Sequence, residues 1–94
     1  MIEELNKLQI QLMNDINDTE SIIVAARDLA SYINLSPSFH RDLELTDSAL
    51  RELLQRISKA VNPGNFDQFL LVTKQLKMMA TDLIATCKQN MHSV

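Results

Sequence analysis

The sequence has almost none of the residues that interrupt helices. Its 94 residues include one glycine, two prolines and no tryptophan. A turn-rich β protein needs many more such residues, so their scarcity favours an all-α fold. At this length, folding hides only about 60–65% of the surface that the unfolded chain exposes, which suits one small domain over residues 1–94.

Residues that carry chemistry are equally scarce. The single Cys87 excludes an intramolecular disulfide, and one cysteine with His40 and His92 forms no zinc-binding pattern. The sequence also has no Gly-rich phosphate loop and no marked nucleophile with its base. We therefore predict that the protein is not an enzyme and has no catalytic, metal-binding or cofactor-binding residues.

Long apolar runs are missing as well. No stretch approaches the roughly 18 apolar residues of a membrane span. The first residues, MIEELNKLQ, carry acids where a signal peptide carries bases. These features predict a cytoplasmic protein that does not bind membranes.

Charge is modest in total and uneven along the chain. The net charge is −3, with nine acids and three bases in residues 1–50 against six bases and three acids in residues 51–94. This pattern predicts that an acidic first half packs on a basic second half. A helix-turn-helix DNA binder remains an alternative, but the helix after NPGN begins NFDQFLLV, without the basic side chains that reach bases. We expect no nucleic-acid partner.

Apolar residues at three- and four-residue spacing predict four amphipathic helices. Their approximate ranges are 2–17, 19–35, 47–61 and 66–89. Pro63 and Gly64 predict the turn between the last two helices, and Asn65 with Gln68 resembles a capping box. Short connections make consecutive helices antiparallel neighbours, so we predict an antiparallel four-helix bundle.

Two interpretations of residues 2–35 remain open. Asn17 and Asp18 are weak helix formers, and Asn17 with Glu20 resembles a capping box, which favours a break there. The apolar stripe nevertheless continues through Thr19, as it would in one long helix. The alternative is therefore a long N-terminal helix in a three-helix protomer of a dimer. Matching of helix lengths favours the break.

Residues 36–46, SPSFHRDLELT, are predicted to form a loop or a short helical turn between the two halves of the chain. Ser36 before Pro37 suits an N-cap and a first helical position. Residues 90–94 are predicted to be a frayed tail.

The last predicted helix has two apolar faces. Its predicted core face consists of Phe69, Val72, Leu76, Met79, Ala80, Leu83 and Cys87. On the opposite face Leu71 and Met78 recur seven residues apart, a spacing that suits docking against another helix. Lys74 and Lys77 are predicted to orient a partner at the rim, and Leu70 and Tyr32 to join this surface.

The sequence thus predicts a non-catalytic protein–protein interaction module: an adaptor, chaperone-like or regulatory subunit. Its predicted partner is another protein that binds through an amphipathic helix, with a homodimer as a second possibility. The alternatives are an obligate structural subunit or homo-oligomer, and a bundle that binds a small ligand. No motif in the sequence names a family.

Overall fold

A computed structural model describes residues 2–59 and 66–92, with side chains for 7–59 and 66–91. The described chain forms three helices and no strand: α1 (Ile2–Ala30), α2 (Pro37–Lys59) and α3 (Phe66–His92). The prediction of an all-α fold is confirmed. The four-helix bundle is wrong, because the first two predicted helices are one.

Helix α1 runs without a break through the segment that contains Asn17 and Asp18. Burial explains why the weak helix formers do not interrupt it: Ile16, Thr19 and Ile23 lie in the core, and core packing outweighs the helix propensity of their exposed neighbours. The hydroxyl of Thr19 donates to the carbonyl oxygen of Asp15 at 2.7 Å, so a polar side chain is buried with its hydrogen bond made inside the helix.

Helix α2 begins ten residues before the predicted helix did, so residues 37–46 form neither a loop nor a separate short turn but the first part of α2. Ser36 acts as the predicted N-cap, since its Oγ accepts a hydrogen bond from the backbone N–H of Phe39 at 3.3 Å. Phe39, Leu43 and Thr46 then continue the buried stripe of the later turns. Because α2 is this long, the three helices have similar lengths, about 44, 35 and 41 Å at 1.5 Å per residue.

The ends of the helices differ from the prediction in smaller ways. Helix α1 stops at Ala30 and not near residue 35, and α3 continues to His92, so residues 90–92 are not a frayed tail. The Asn90 side chain donates to the Thr86 carbonyl oxygen at 2.8 Å, which supports this last turn. The predicted NPGN turn and the Asn65 cap lie outside the described residues.

Helices α1 and α3 lie parallel to each other. Lys77 of α3 pairs with Asp18 of α1, and Cys87 contacts Ala26 further along both helices. The partner residue numbers rise together, with separations of 59 and 61, which requires two helices running in the same direction. The order is therefore up, down, up, with α2 as the return helix. The elongated bundle measures 53 × 20 × 16 Å.

The core consists of one stripe from each helix. The buried residues recur at three- and four-residue spacing and are Leu12, Ile16, Thr19, Ile23, Ala26, Ala30, Phe39, Leu43, Thr46, Leu50, Leu53, Leu70, Thr73, Leu76, Ala80, Leu83 and Cys87. Each helix buries one threonine, and each of these hydroxyls donates to the carbonyl oxygen four residues earlier in its own helix. Polar groups in the core are thus satisfied locally.

Charged side chains also join the helices at the surface. Arg27 of α1 reaches Glu44 at 3.0 Å and Asp47 at 3.3 Å on α2, and the hydrogen bond to Asp47 raises the pKa of the guanidinium. Both of these pairs lie within the first half of the chain. Lys77–Asp18 joins the basic half to the acidic half.

Candidate partner-binding surface

The outer face of α3 exposes two large apolar side chains. Leu71 is 60% exposed and Met78 is 68% exposed, seven residues apart, or about 10 Å along the helix. The opposite face of the same turns is buried, with Thr73, Leu76 and Ala80 in the core. The backbone that carries Leu71 and Met78 is therefore held by packing on its other side.

Three residues of α3 lie elsewhere than predicted. Leu70 is only 8% exposed and packs in the core, so it does not belong to the outer surface. Val72 and Met79 were predicted in the core and are exposed. The buried stripe is rotated towards Leu70 and Thr73, because α3 packs against both α1 and α2. Helical periodicity gives the width of a buried stripe but does not fix its centre to within one residue.

The two lysines beside Met78 have different surroundings. The Lys77 ammonium lies 3.3 Å from an Asp18 carboxylate oxygen, so it bridges α3 to α1. Lys74 is exposed and makes no ion pair with any described residue. The charge of Lys74 is therefore available to a partner at the edge of the Leu71–Met78 surface. The charge of Lys77 is instead paired with Asp18 of the same chain.

An open groove runs beside Met78 between α3 and α1. It has a volume of about 590 Å³, and besides Lys77 and Met78 its lining residues are Gln11, Asp15, Lys74, Thr81 and Asp82. The walls carry both signs of charge around one apolar side chain. An open groove with charges of both signs around an apolar centre suits an amphipathic helix better than a small apolar ligand, which needs an enclosed apolar cavity.

Tyr32 lies at one end of the bundle, away from Met78. It is 83% exposed and lines a smaller groove with Leu29, Ile33, Asn34 and Met91. Met91 is thirteen residues beyond Met78, which is about 20 Å along α3. The structure therefore places Tyr32 beside Met91, and it does not bring Tyr32 together with the Leu71–Met78 surface.

Exposed apolar side chains on the other helices were missed by the sequence analysis. Ile10, Met13 and Val24 lie on the outer face of α1, and Leu45 lies on α2. The sequence did carry a signal for them, since Ile10, Met13 and Val24 follow each other at helical spacing opposite the buried stripe of α1.

Groups with the potential for chemistry do not come together in the described chain. Among residues 7–59 and 66–91, no three His, Cys, Asp or Glu side chains are close enough to hold a metal ion. Cys87 is fully buried, and burial raises the pKa of its thiol, which disfavours the reactive thiolate. His40 is exposed on α2, with its ring edge-to-face against Phe39.

None of the helices, as far as the structure describes them, is long and apolar enough to cross a membrane. The chain matches no protein-family model, no curated protein and no solved structure. Function is therefore inferred from the surface of this chain alone.

Proposed function

We propose that this protein is a non-catalytic interaction module that binds another protein through the outer face of α3. The observation that carries the proposal is the pair Leu71 and Met78, which expose apolar area at helical spacing on a helix whose opposite face is fixed in the core. A partner's amphipathic helix presents apolar side chains at the same spacing, so it suits this face.

The side chains at the centre of this surface fit such a role. Methionine is flexible and polarisable, and it adapts to partners that are not perfectly complementary. Lys74 and Asp82 flank Met78 with exposed charges. Such charges orient a partner, and they affect the association rate more than the dissociation rate. Leu71 and Met78 supply the apolar centre and the charges supply the rim.

The test is a capture experiment from an extract of the source organism. The bait is the immobilised chain, compared with a Leu71→Glu, Met78→Glu double variant that is equally helical by circular dichroism. The matched control is Ile10→Glu, Val24→Glu, which adds the same charge at residues of α1 that are 62% and 57% exposed.

We expect one protein to be captured by the wild type and by the α1 control, and to be lost with the α3 variant. Capture that is lost equally with both variants, or retained with both, contradicts the proposal, because binding then does not depend on this face. If the double variant of α3 has a much lower melting temperature than the wild type, Met78→Gln is used in its place. That substitution removes apolar area without adding a charge.

A further inference from the structure

Met78 lies at the centre of a row of exposed residues with opposite charges at its two ends. Residues four apart form a ridge on a helix surface, and here the ridge is Lys74, Met78 and Asp82. Within the described part of the chain, neither Lys74 nor Asp82 forms an ion pair. The ridge therefore presents a free cation, an apolar side chain and a free anion in sequence.

A ridge of this kind is complementary to itself when it is reversed. If a second copy lies antiparallel and centred on Met78, Lys74 comes opposite Asp82 of the second copy. Two-fold symmetry then repeats the same pair on the other side of Met78.

The apolar residues also match in this arrangement. Leu71 is seven residues before Met78, and Ala85 is seven residues after it. In the antiparallel pair, Leu71 therefore comes level with Ala85 of the second copy, so a large side chain faces a small one at both ends. Alternation of large and small side chains lets two helices approach closely.

Helix α1 provides an internal comparison. Val24 is also exposed, and the residues four before and four after it are Glu20 and Asp28, so that ridge is acidic at both ends. Two α1 ridges repel each other in either direction, and an α1 ridge against the α3 ridge gives one attraction and one repulsion. Parallel α3 ridges set lysine against lysine. The antiparallel α3 pair is the arrangement that gives two attractions.

We infer that the partner of the α3 surface is a second copy of this chain, docked antiparallel about a two-fold axis at Met78. This inference rests on the proposed function, since it assigns a partner to the same surface. The contact is small, so the dimer is reversible and depends on concentration and on salt, because exposed charge pairs are screened.

The test uses two charge reversals, Lys74→Glu and Asp82→Lys, followed by sedimentation velocity from micromolar to near-millimolar concentration at low salt. In the proposed dimer, each single variant sets like charges against each other at both pairs, so its dissociation constant rises roughly tenfold or more. When the two variants are mixed, both pairs become attractive again, and a heterodimer forms from two chains that are each monomeric alone.

The control is Asp28→Lys, which changes the net charge by the same amount as Asp82→Lys but lies on α1. We expect this control to leave the dissociation constant of the dimer unchanged. A wild type that stays monomeric at all concentrations overturns the inference, as does a mixture that associates no better than its components. Thermal unfolding checks that each variant is folded. A monomeric wild type that still captures another protein through Leu71 and Met78 refutes the second copy alone and leaves the proposed function standing.

Discussion

The Cys87 thiol of α3 lies 3.7 Å from the backbone carbonyl oxygen of Ala26 on α1, and both residues are fully buried. A side chain as short as cysteine reaches the backbone of another helix only where the two helices lie close together. Ala26 is also small, and like Cys87 it is wholly inaccessible to solvent. The two parallel helices therefore lie close together at this point.

The first prediction follows from that contact. Cys87→Leu adds volume where no space is available, and we expect it to lower the free energy of unfolding by about 1–3 kcal/mol. Cys87→Ala removes only the sulfur and is the matched control. Urea unfolding followed by circular dichroism measures both variants. Equal stability of the leucine variant and the wild type would show that the two helices separate freely here.

The second prediction concerns pH. Burial raises the pKa of the Cys87 thiol in the folded protein, so the unfolded thiol ionises first as the pH rises through roughly 8.5. The folded state then holds more protons, and stability falls with rising pH. We expect the stability difference between wild type and Cys87→Ala to be constant below that pH and to shift against the wild type above it. Parallel curves up to high pH would contradict burial of the thiol.

The third prediction concerns the buried threonines. The Thr73 hydroxyl donates to the Phe69 carbonyl oxygen within its own helix, so it holds no other helix in place. Thr73→Val keeps the shape and adds apolar surface, and we expect it to be neutral or to stabilise the fold by up to about 1 kcal/mol. The control is Thr81→Val, since Thr81 makes the same bond at an exposed position. A marked loss at Thr73 alone would reveal a second partner for its hydroxyl.

The fourth prediction tests the continuity of α1. Asn17 is exposed in the middle of a helix, so Asn17→Ala should stabilise the protein by about 0.5 kcal/mol through helix propensity. If a helix instead began there, the same change would remove an N-cap and destabilise the protein by about 1 kcal/mol. The sign of the change in thermal midpoint therefore distinguishes one helix from two.

The fifth prediction concerns the start of α2. Ser36→Ala removes the oxygen that caps the Phe39 N–H, and we expect a loss of about 1 kcal/mol. Ser38→Ala is the control, because Ser38 contacts the Ser36 hydroxyl at 3.0 Å without capping a described backbone group. Similar losses for both variants would mean that the paired hydroxyls, and not the cap, stabilise this end of the helix.

Local signals in the sequence predicted part of this fold. The scarcity of glycine and proline predicted helices, and Ser36 before Pro37 predicted an N-cap that the structure contains. The number of helices was mispredicted because matching of helix lengths decided for a break near Asn17 and Asp18, whereas α2 begins ten residues earlier than predicted and is long enough to pack beside one long α1. The burial of Thr19 also depends on helices distant in sequence. The error at 36–46 had the same origin, since the burial of Phe39, Leu43 and Thr46 depends on helices distant in sequence.

The candidate surface was predicted in outline. Leu71 and Met78 are exposed as expected, because a position opposite a strong apolar stripe faces outwards in any packing of the helix. Leu70 does not join them, because the rotation of α3 about its own axis depends on tertiary contacts. Tyr32 does not join them either, because tertiary contacts also decide which part of α3 lies beside the end of α1. The sequence could not show that Lys77 is paired while Lys74 is not, because the partner of Lys77, Asp18, is 59 residues away.

The parallel arrangement of α1 and α3 has a consequence for how the chain reaches its fold. The contacts between these helices join residues about 60 positions apart, so they have a high contact order for a helical protein. They can form only after the chain has traversed α2 and closed a long loop, at an entropic cost that local contacts do not carry. We therefore expect this protein to fold more slowly than helical bundles of the same size in which all packed helices are consecutive in sequence.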